Sequence, residues 1–85
     1  MTAIQISNES ALGVYRFSWT TGDGVRCEIQ WGEGLPLPLA FFGDRPPAGI
    51  RNPERFGWKK PRQAGDFKEF VQRFAEALEA DDLDS

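Results

Sequence analysis

The sequence predicts a small α+β fold, in which an antiparallel β-meander of three or four strands carries one C-terminal amphipathic helix packed on one face. Two observations support this prediction. Short segments of alternating apolar and polar residues occupy the first half of the chain, and a segment with helical periodicity follows near its end. Strands followed by a helix are typical of α+β proteins. With 85 residues, the chain is predicted to form one domain whose core needs nearly every large apolar residue.

The C-terminal helix is predicted over residues 66–80. Its apolar residues recur at helical spacing and therefore share one face: Phe67, Phe70, Val71, Phe74, Ala75 and Leu78. Asp66 followed by Glu69 has the pattern of a capping box, in which each side chain accepts a hydrogen bond from a backbone N–H. An isolated helix of this length is marginal in water, so we expect its Phe-rich face to dock on the sheet. Residues 81–85 are predicted to be a frayed acidic tail.

The alternating segments predict strands over about residues 3–7, 12–20, 25–31 and 35–42. The second and third strands form the best hairpin, because the TTGDG connector is typical of a tight turn. An odd-length loop keeps the apolar faces together, and it pairs Trp19 with Val25 and sets Arg16 opposite Glu28. One of the first and last glycines of this loop, Gly22 or Gly24, is expected to have a positive φ.

The fourth segment, LPLPLAFF over residues 35–42, again alternates. One side of it carries Leu35, Leu37, Leu39 and Phe41. Pro36 and Pro38 have no N–H to donate, so the segment is predicted to be an edge strand or an extended polyproline-like stretch. An exposed edge of this kind also allows a homodimer that pairs edge to edge.

Residues 43–65 are predicted to form an irregular basic loop, because prolines and turn residues are dense there. Residues 44–65 have a net charge of +4, whereas residues 66–85 have a net charge of −5 and the whole chain −3. A loop of this length in so small a domain is expected to be either functional or mobile.

No catalytic, cofactor-binding or metal-binding residue is predicted. The chain has no histidine and one cysteine, Cys27, so it lacks a His-based dyad and a thiolate zinc site. The three aspartates of the tail, Asp81, Asp82 and Asp84, are interpreted as a solvated chain end rather than a cation site. We therefore expect that the protein is not an enzyme.

The stretch IRNPERFGWKKPR, residues 50–62, is the candidate binding site. Its candidate partner-binding residues are Arg51, Arg55, Phe56, Trp58, Lys59, Lys60 and Arg62. Interleaved cations and aromatics can stack on bases and hold phosphates, and the same residue types dominate protein interfaces. The competing interpretation is that Phe56 and Trp58 cover the end of the sheet while the charges solvate a loop.

These features predict a non-catalytic protein-binding domain, accessory or regulatory, that acts through residues 44–62 and the adjacent sheet edge. A nucleic-acid-binding module using the same loop is the alternative, and the overall charge of −3 disfavours it. No apolar run is long enough to span a membrane, and the first residues lack the pattern of a signal peptide. With one cysteine, the expected location is the cytoplasm. Small size and seven arginines against three lysines suggest a bacterial or phage accessory protein.

Overall fold

The computed structural model describes residues 4–32 and 34–80, and it confirms the α+β fold. One antiparallel sheet has the strand order β1-β2-β3-β4-β5. Its strands are β1 (Ser7–Asn8), β2 (Val14–Thr20), β3 (Arg26–Gly32), β4 (Leu39–Phe42) and β5 (Ala48–Gly49). A 3-10 helix, Pro53–Phe56, precedes the C-terminal helix α1, Ala64–Glu79. The sheet therefore has five strands where three or four were predicted. Part of the first predicted strand and the whole predicted tail, residues 81–85, lie outside the described residues.

The β2–β3 hairpin has an odd-length loop, as predicted. Thr21 N donates to Val25 O over 2.9 Å, and this hydrogen bond closes a loop of three residues, 22–24. Val25 N in turn donates to the Thr21 hydroxyl over 3.1 Å. Gly24 has a φ of +86°, so the positive φ falls on the second of the two candidate glycines.

The predicted register of this hairpin is wrong by two residues. Trp19 pairs with Cys27 instead of Val25, and Arg16 pairs with Gln30 instead of Glu28. A slip of two residues keeps every side chain on its own face, so the apolar pattern could not distinguish the two registers. The two hydrogen bonds between Thr21 and Val25 select the observed register, with three residues in the loop.

The second predicted strand begins two residues late. Ala11 N donates to Val14 O and Val14 N to Ala11 O, each over 3.0 Å, so residues 12 and 13 form a tight turn. Leu12 and Gly13 have φ values of +53° and +78°, as a two-residue turn of this kind requires. A leucine in the left-handed region is uncommon, and nothing in the alternating pattern predicts it.

The prediction that residues 35–42 form an edge strand is wrong. β4 begins at Leu39, directly after Pro38, and it pairs with β3 on one side and β5 on the other. Both prolines thus lie before the ladder, where their missing N–H groups cost nothing. Ala40, opposite Ile29, is buried toward α1, whereas Leu39 and Phe41 lie on the other face of the sheet.

The core lies between the sheet and α1. The helix buries Phe67, Phe70, Val71, Phe74 and Ala75. The sheet contributes Phe17, Trp19, Cys27, Ile29, Trp31 and Ala40. Ten aromatic ring contacts with centroids 5.3–6.3 Å apart run through this layer, which explains how a chain with few Ile and Val residues fills its core.

The predicted capping box is wrong. α1 begins at Ala64 after Gln63, which has an extended backbone and makes no side-chain capping bond. Asp66 lies inside the first turn, and its carboxylate accepts from Arg62 N over 3.3 Å. Gly65, a poor helix former, also lies within this first turn.

Within the described ranges, no helix combines the length and the apolar character that crossing a membrane requires.

Candidate functional site

Phe56 holds the predicted basic loop on the core. The residue is 7% exposed, and its ring meets Phe74 and Phe70 edge-on at centroid distances of 5.3 and 6.2 Å. It closes the 3-10 helix, whose flanking residues Asn52 and Gly57 both adopt the left-handed conformation. The stretch 43–65, predicted to be irregular, thus contains β5, this 3-10 helix and the first two residues of α1.

Trp58 also packs against the core. Its ring contacts Trp31 edge-on at 6.0 Å, and its backbone N donates to Pro53 O over 3.3 Å. The side chain is half-buried. Both aromatic rings therefore pack on the core, Phe56 against α1 and Trp58 against Trp31 of β3. Phe56 has almost no exposed surface for a partner, and we withdraw it from the candidate binding residues because of this burial.

The five candidate cations face solvent: Arg51, Arg55, Lys59, Lys60 and Arg62. We call these five residues the cationic surface. The Arg55 guanidinium lies over the Phe56 ring, 5.4 Å from its centroid, in cation–π geometry. In the described part of the chain, no carboxylate lies within ion-pair distance of Arg51, Lys59, Lys60 or Arg62.

At Gly57, the segment that carries the cationic surface lies against α1. Its φ is +79°, and a Cβ placed on it would lie 2.7 Å from Nη1 of Arg73. Arg73 is itself held by an ion pair between its Nη2 and Glu69 Oε1 at 3.2 Å. Residues 51–62 and α1 are therefore in direct contact at this glycine.

The sheet edge adjacent to this surface is β5. Both of its residues, Ala48 and Gly49, are exposed, and the following residue, Ile50, is buried and donates from its N to Pro38 O over 3.0 Å. Because β5 covers β4, a homodimer through this side of the sheet would pair along a strand of only two residues. Edge pairing remains a prediction.

A groove that sequence reasoning missed lies at the opposite edge of the sheet. It has a volume of about 1160 Å³ and lies between the N-terminal segment, the end of β2 and the C-terminal half of α1. We call it the edge groove. Its lining residues are Ile4, Gln5, Ser7, Ser18, Trp19, Thr20, Thr21, Gly22, Arg26, Gln72, Glu76, Glu79 and Ala80. The hydrogen bond from Gly22 N to Glu79 Oε1, 2.9 Å long, joins two of its walls.

Cys27 is buried in the core, where its thiol weakly contacts Val25 O at 3.8 Å. Burial first, and the carboxylate of Glu79 second, raise the pKa of the Cys27 thiol above its ordinary value of 9.0. Among the described residues, no group of three His, Cys, Asp or Glu side chains is placed to hold a metal ion.

The raised pKa of Cys27 predicts a loss of stability in alkali. The folded state keeps the thiol protonated where the unfolded chain ionises it, so this contribution is complete below about pH 9 and is lost as the pH rises further. Urea unfolding between about pH 7 and pH 10 should show a decline in the free energy of unfolding. The Cys27→Ala variant should start from a lower stability and decline less. Parallel curves for the two proteins would contradict this assignment.

No family model matches the chain, and no curated protein or solved structure matches it significantly. The functional proposals below therefore depend on the geometry and charge of this chain alone.

Proposed function

We propose that the protein is a small non-catalytic binding domain, accessory or regulatory in role, that contacts another protein through residues 44–62 and the adjacent β5 edge. The observation that supports this proposal is the arrangement of residues 51–62. Phe56 and Trp58 fix the segment on the core, while the cationic surface faces solvent. Exposed cations on an anchored segment lose less conformational freedom on binding than cations on a loose loop.

The expected partner is a protein that presents acidic side chains. Arginine binds carboxylates with two parallel hydrogen bonds, and three of the five cations are arginines. Complementary charge at the rim of an interface mainly raises the association rate and the specificity. The Trp58 side chain is half-buried, so only part of its surface is available to a partner.

The alternative function, nucleic-acid binding, is supported by the exposed cations but not by the aromatic residues. The cationic surface is suited to phosphates, but base stacking needs an exposed ring, and Phe56 is buried. The net charge of −3 and the acidic residues of α1 also oppose a polyanion. We propose a cytoplasmic location, since a buried free cysteine requires no oxidising compartment.

The test is capture of partners from a lysate of the source cells on the immobilised protein, with and without nuclease. The variant Lys59→Glu/Lys60→Glu reverses charge on the cationic surface. The variant Arg16→Glu/Lys68→Glu reverses the same number of charges at exposed positions elsewhere. All four positions are exposed, so both variants should keep the parental circular dichroism spectrum.

We expect the first variant to recover about tenfold less of the partner protein and the second to recover parental amounts, in both cases regardless of nuclease. Equal recovery by the two variants would contradict a role for the cationic surface. Recovery that nuclease abolishes would favour the nucleic-acid alternative.

A further inference from the structure

We infer that Leu12, at the tip of the β1–β2 hairpin, is the apolar anchor of the proposed interface and inserts into an apolar pocket of the partner protein. This inference rests on the proposed function and adds the apolar contact that the cationic surface lacks. A protein interface has an apolar centre, in which an aromatic or aliphatic side chain fills a pocket, and a polar rim around it. The cations supply such a rim, and Leu12 supplies the centre.

The tip of this hairpin has no polar side chain. Its four residues are all exposed, and we call them the apolar turn: Ala11, Leu12, Gly13 and Val14. The Leu12 side chain is 100% exposed, whereas the next most exposed large apolar side chain in the described ranges, that of Val25, is 42% exposed. Turns of soluble domains are normally polar, so a run of exposed apolar residues here indicates a role outside the fold.

Leu12 also has a backbone conformation that a leucine disfavours. A two-residue hairpin turn of this kind needs a positive φ at both residues, which Asn-Gly, Asp-Gly or Gly-Gly supplies at little cost. The φ values are +53° at Leu12 and +78° at Gly13. The fold therefore requires a turn at this position but not a leucine. Residues held in strained conformations cluster at functional sites, and this one carries the cost of strain together with that of an exposed apolar side chain.

The hairpin holds the apolar turn firmly. Ala11 and Val14 exchange two backbone hydrogen bonds of 3.0 Å each. A Cβ placed on Gly32 of β3 would lie 2.9 Å from Gly13 O, so the turn rests on the end of β3 at a point where only glycine fits. Leu12 is thus presented by a closed and packed turn. Binding through a preorganised residue of this kind costs less conformational entropy than ordering a loose loop.

The apolar turn lies at the same end of the sheet as Trp58. Tyr15 directly follows the turn, and its ring stacks on Trp31 at a centroid distance of 6.3 Å. Trp31 in turn contacts Trp58 at 6.0 Å, and Lys59 is the next residue of the chain. One partner surface can therefore contact the apolar turn and the cationic surface together. Since the cations attract carboxylates, this partner should present its apolar pocket beside acidic side chains.

The test repeats the capture from a lysate with variants of Leu12 and identifies the recovered protein by mass spectrometry. Leu12→Asn removes the apolar side chain and introduces a residue that the turn favours. Its melting temperature should rise by about 3 °C or more, while its recovery of the partner should fall at least about tenfold. Leu12→Met keeps an apolar side chain and should recover the partner within about twofold of the parent. If Leu12 were merely structural, recovery would fall only together with stability.

Val25→Thr is the matched control, because it removes an exposed apolar side chain at the other end of β2, beside the β2–β3 loop. It should recover parental amounts. Arg16 projects from the sheet face opposite α1, so the Arg16→Glu/Lys68→Glu variant should also keep its recovery. Surface plasmon resonance with the recovered protein then separates the two contributions. Leu12→Asn should raise the dissociation rate, whereas Lys59→Glu/Lys60→Glu should mainly lower the association rate.

Parental recovery by Leu12→Asn, with loss of the partner by Lys59→Glu/Lys60→Glu, would overturn this inference and leave the proposed function standing. Loss by Leu12→Asn of a protein that the charge variant retains would overturn the shared interface, as would equal losses by Leu12→Asn and Val25→Thr. Recovery of no protein by the parent would overturn the inference together with the proposed function.

Two further measurements test other occupants of the apolar turn. Light scattering measures self-association, and sedimentation with vesicles of phosphatidylcholine and phosphatidylglycerol measures binding to a lipid surface. We expect neither in the parent protein. Self-association that Leu12→Asn abolishes would assign the turn to a second copy of this chain, and vesicle binding that Leu12→Asn abolishes would assign it to a membrane surface. Either result would overturn a partner protein as the occupant.

Discussion

Replacement of Phe70 by alanine is expected to lower the free energy of unfolding by about 3–5 kcal/mol. Phe70 is 1% exposed. Its ring contacts Phe67, Phe56 and Phe74 at centroid distances of 5.7, 6.2 and 6.3 Å. Truncation removes the transfer free energy of the ring and leaves a cavity at the centre of the helix–sheet interface. Small domains have a total stability of about 5–15 kcal/mol, so urea unfolding should show a large shift of the midpoint.

Glu76→Ala is the control for this prediction. Glu76 is exposed on the opposite side of the same helix, and its substitution should change the free energy of unfolding by less than about 0.5 kcal/mol. A Phe70→Ala variant that melts within about two degrees of the parent would show that α1 does not dock through its Phe-rich face.

Phe56→Ala is expected to cost about 3 kcal/mol and to release the cationic surface from the core. Phe56 is the residue of the 3-10 helix that reaches both Phe70 and Phe74. Its loss should therefore affect the surrounding loop more than the sheet. Thermal melting measures the cost, and amide hydrogen exchange should show faster exchange over residues 52–58 than in the parent.

The control variant for this position is Lys60→Ala, which changes an exposed side chain of the same segment. It should leave both the melting temperature and the exchange rates of residues 52–58 unchanged. Parental stability in Phe56→Ala would contradict the anchoring role and would return Phe56 to the candidate partner-binding residues.

The helix and the two long strands were predictable because each has one apolar face and one polar face. In α1, the Phe-rich stripe allows only one docking face, and the structure uses it. In β2 and β3, the alternation assigns Phe17, Trp19, Cys27 and Ile29 to the inner face, where they are buried. The register between these strands was not predictable from the faces, because a two-residue slip preserves them.

The remaining strands could not be predicted from local pattern. In residues 35–42 both alternating sets are apolar, so the pattern does not indicate which set faces the helix. β1 and β5 have two residues each, too few to show any alternation. They exist because the chain on either side brings them alongside β2 and β4, which is a tertiary effect that propensity does not contain.

The candidate site was predictable in composition but not in geometry. The sequence identifies the cations of residues 51–62 and the aromatics between them, yet the same residues suit a core anchor and an interface. Only the fold places Phe56 on Phe74 and leaves the cationic surface exposed. The edge groove had no sequence signal at all, because its walls come from distant segments, as the hydrogen bond between Gly22 and Glu79 shows.

The central claim is that Phe56 and Trp58, the aromatic residues within residues 51–62, belong to the core. The most direct test of this claim is a nuclear Overhauser spectrum of the protein. We expect cross-peaks between the ring protons of Phe56 and Phe74, and between those of Trp58 and Trp31, whose centroids lie 5.3 and 6.0 Å apart. The side-chain signals of Lys59 and Lys60 should show no cross-peaks to core residues. Absence of cross-peaks between the Phe56 ring and α1 would contradict the account. Cross-peaks from the Lys59 or Lys60 side chain to the helix residues that Phe56 contacts would also contradict it.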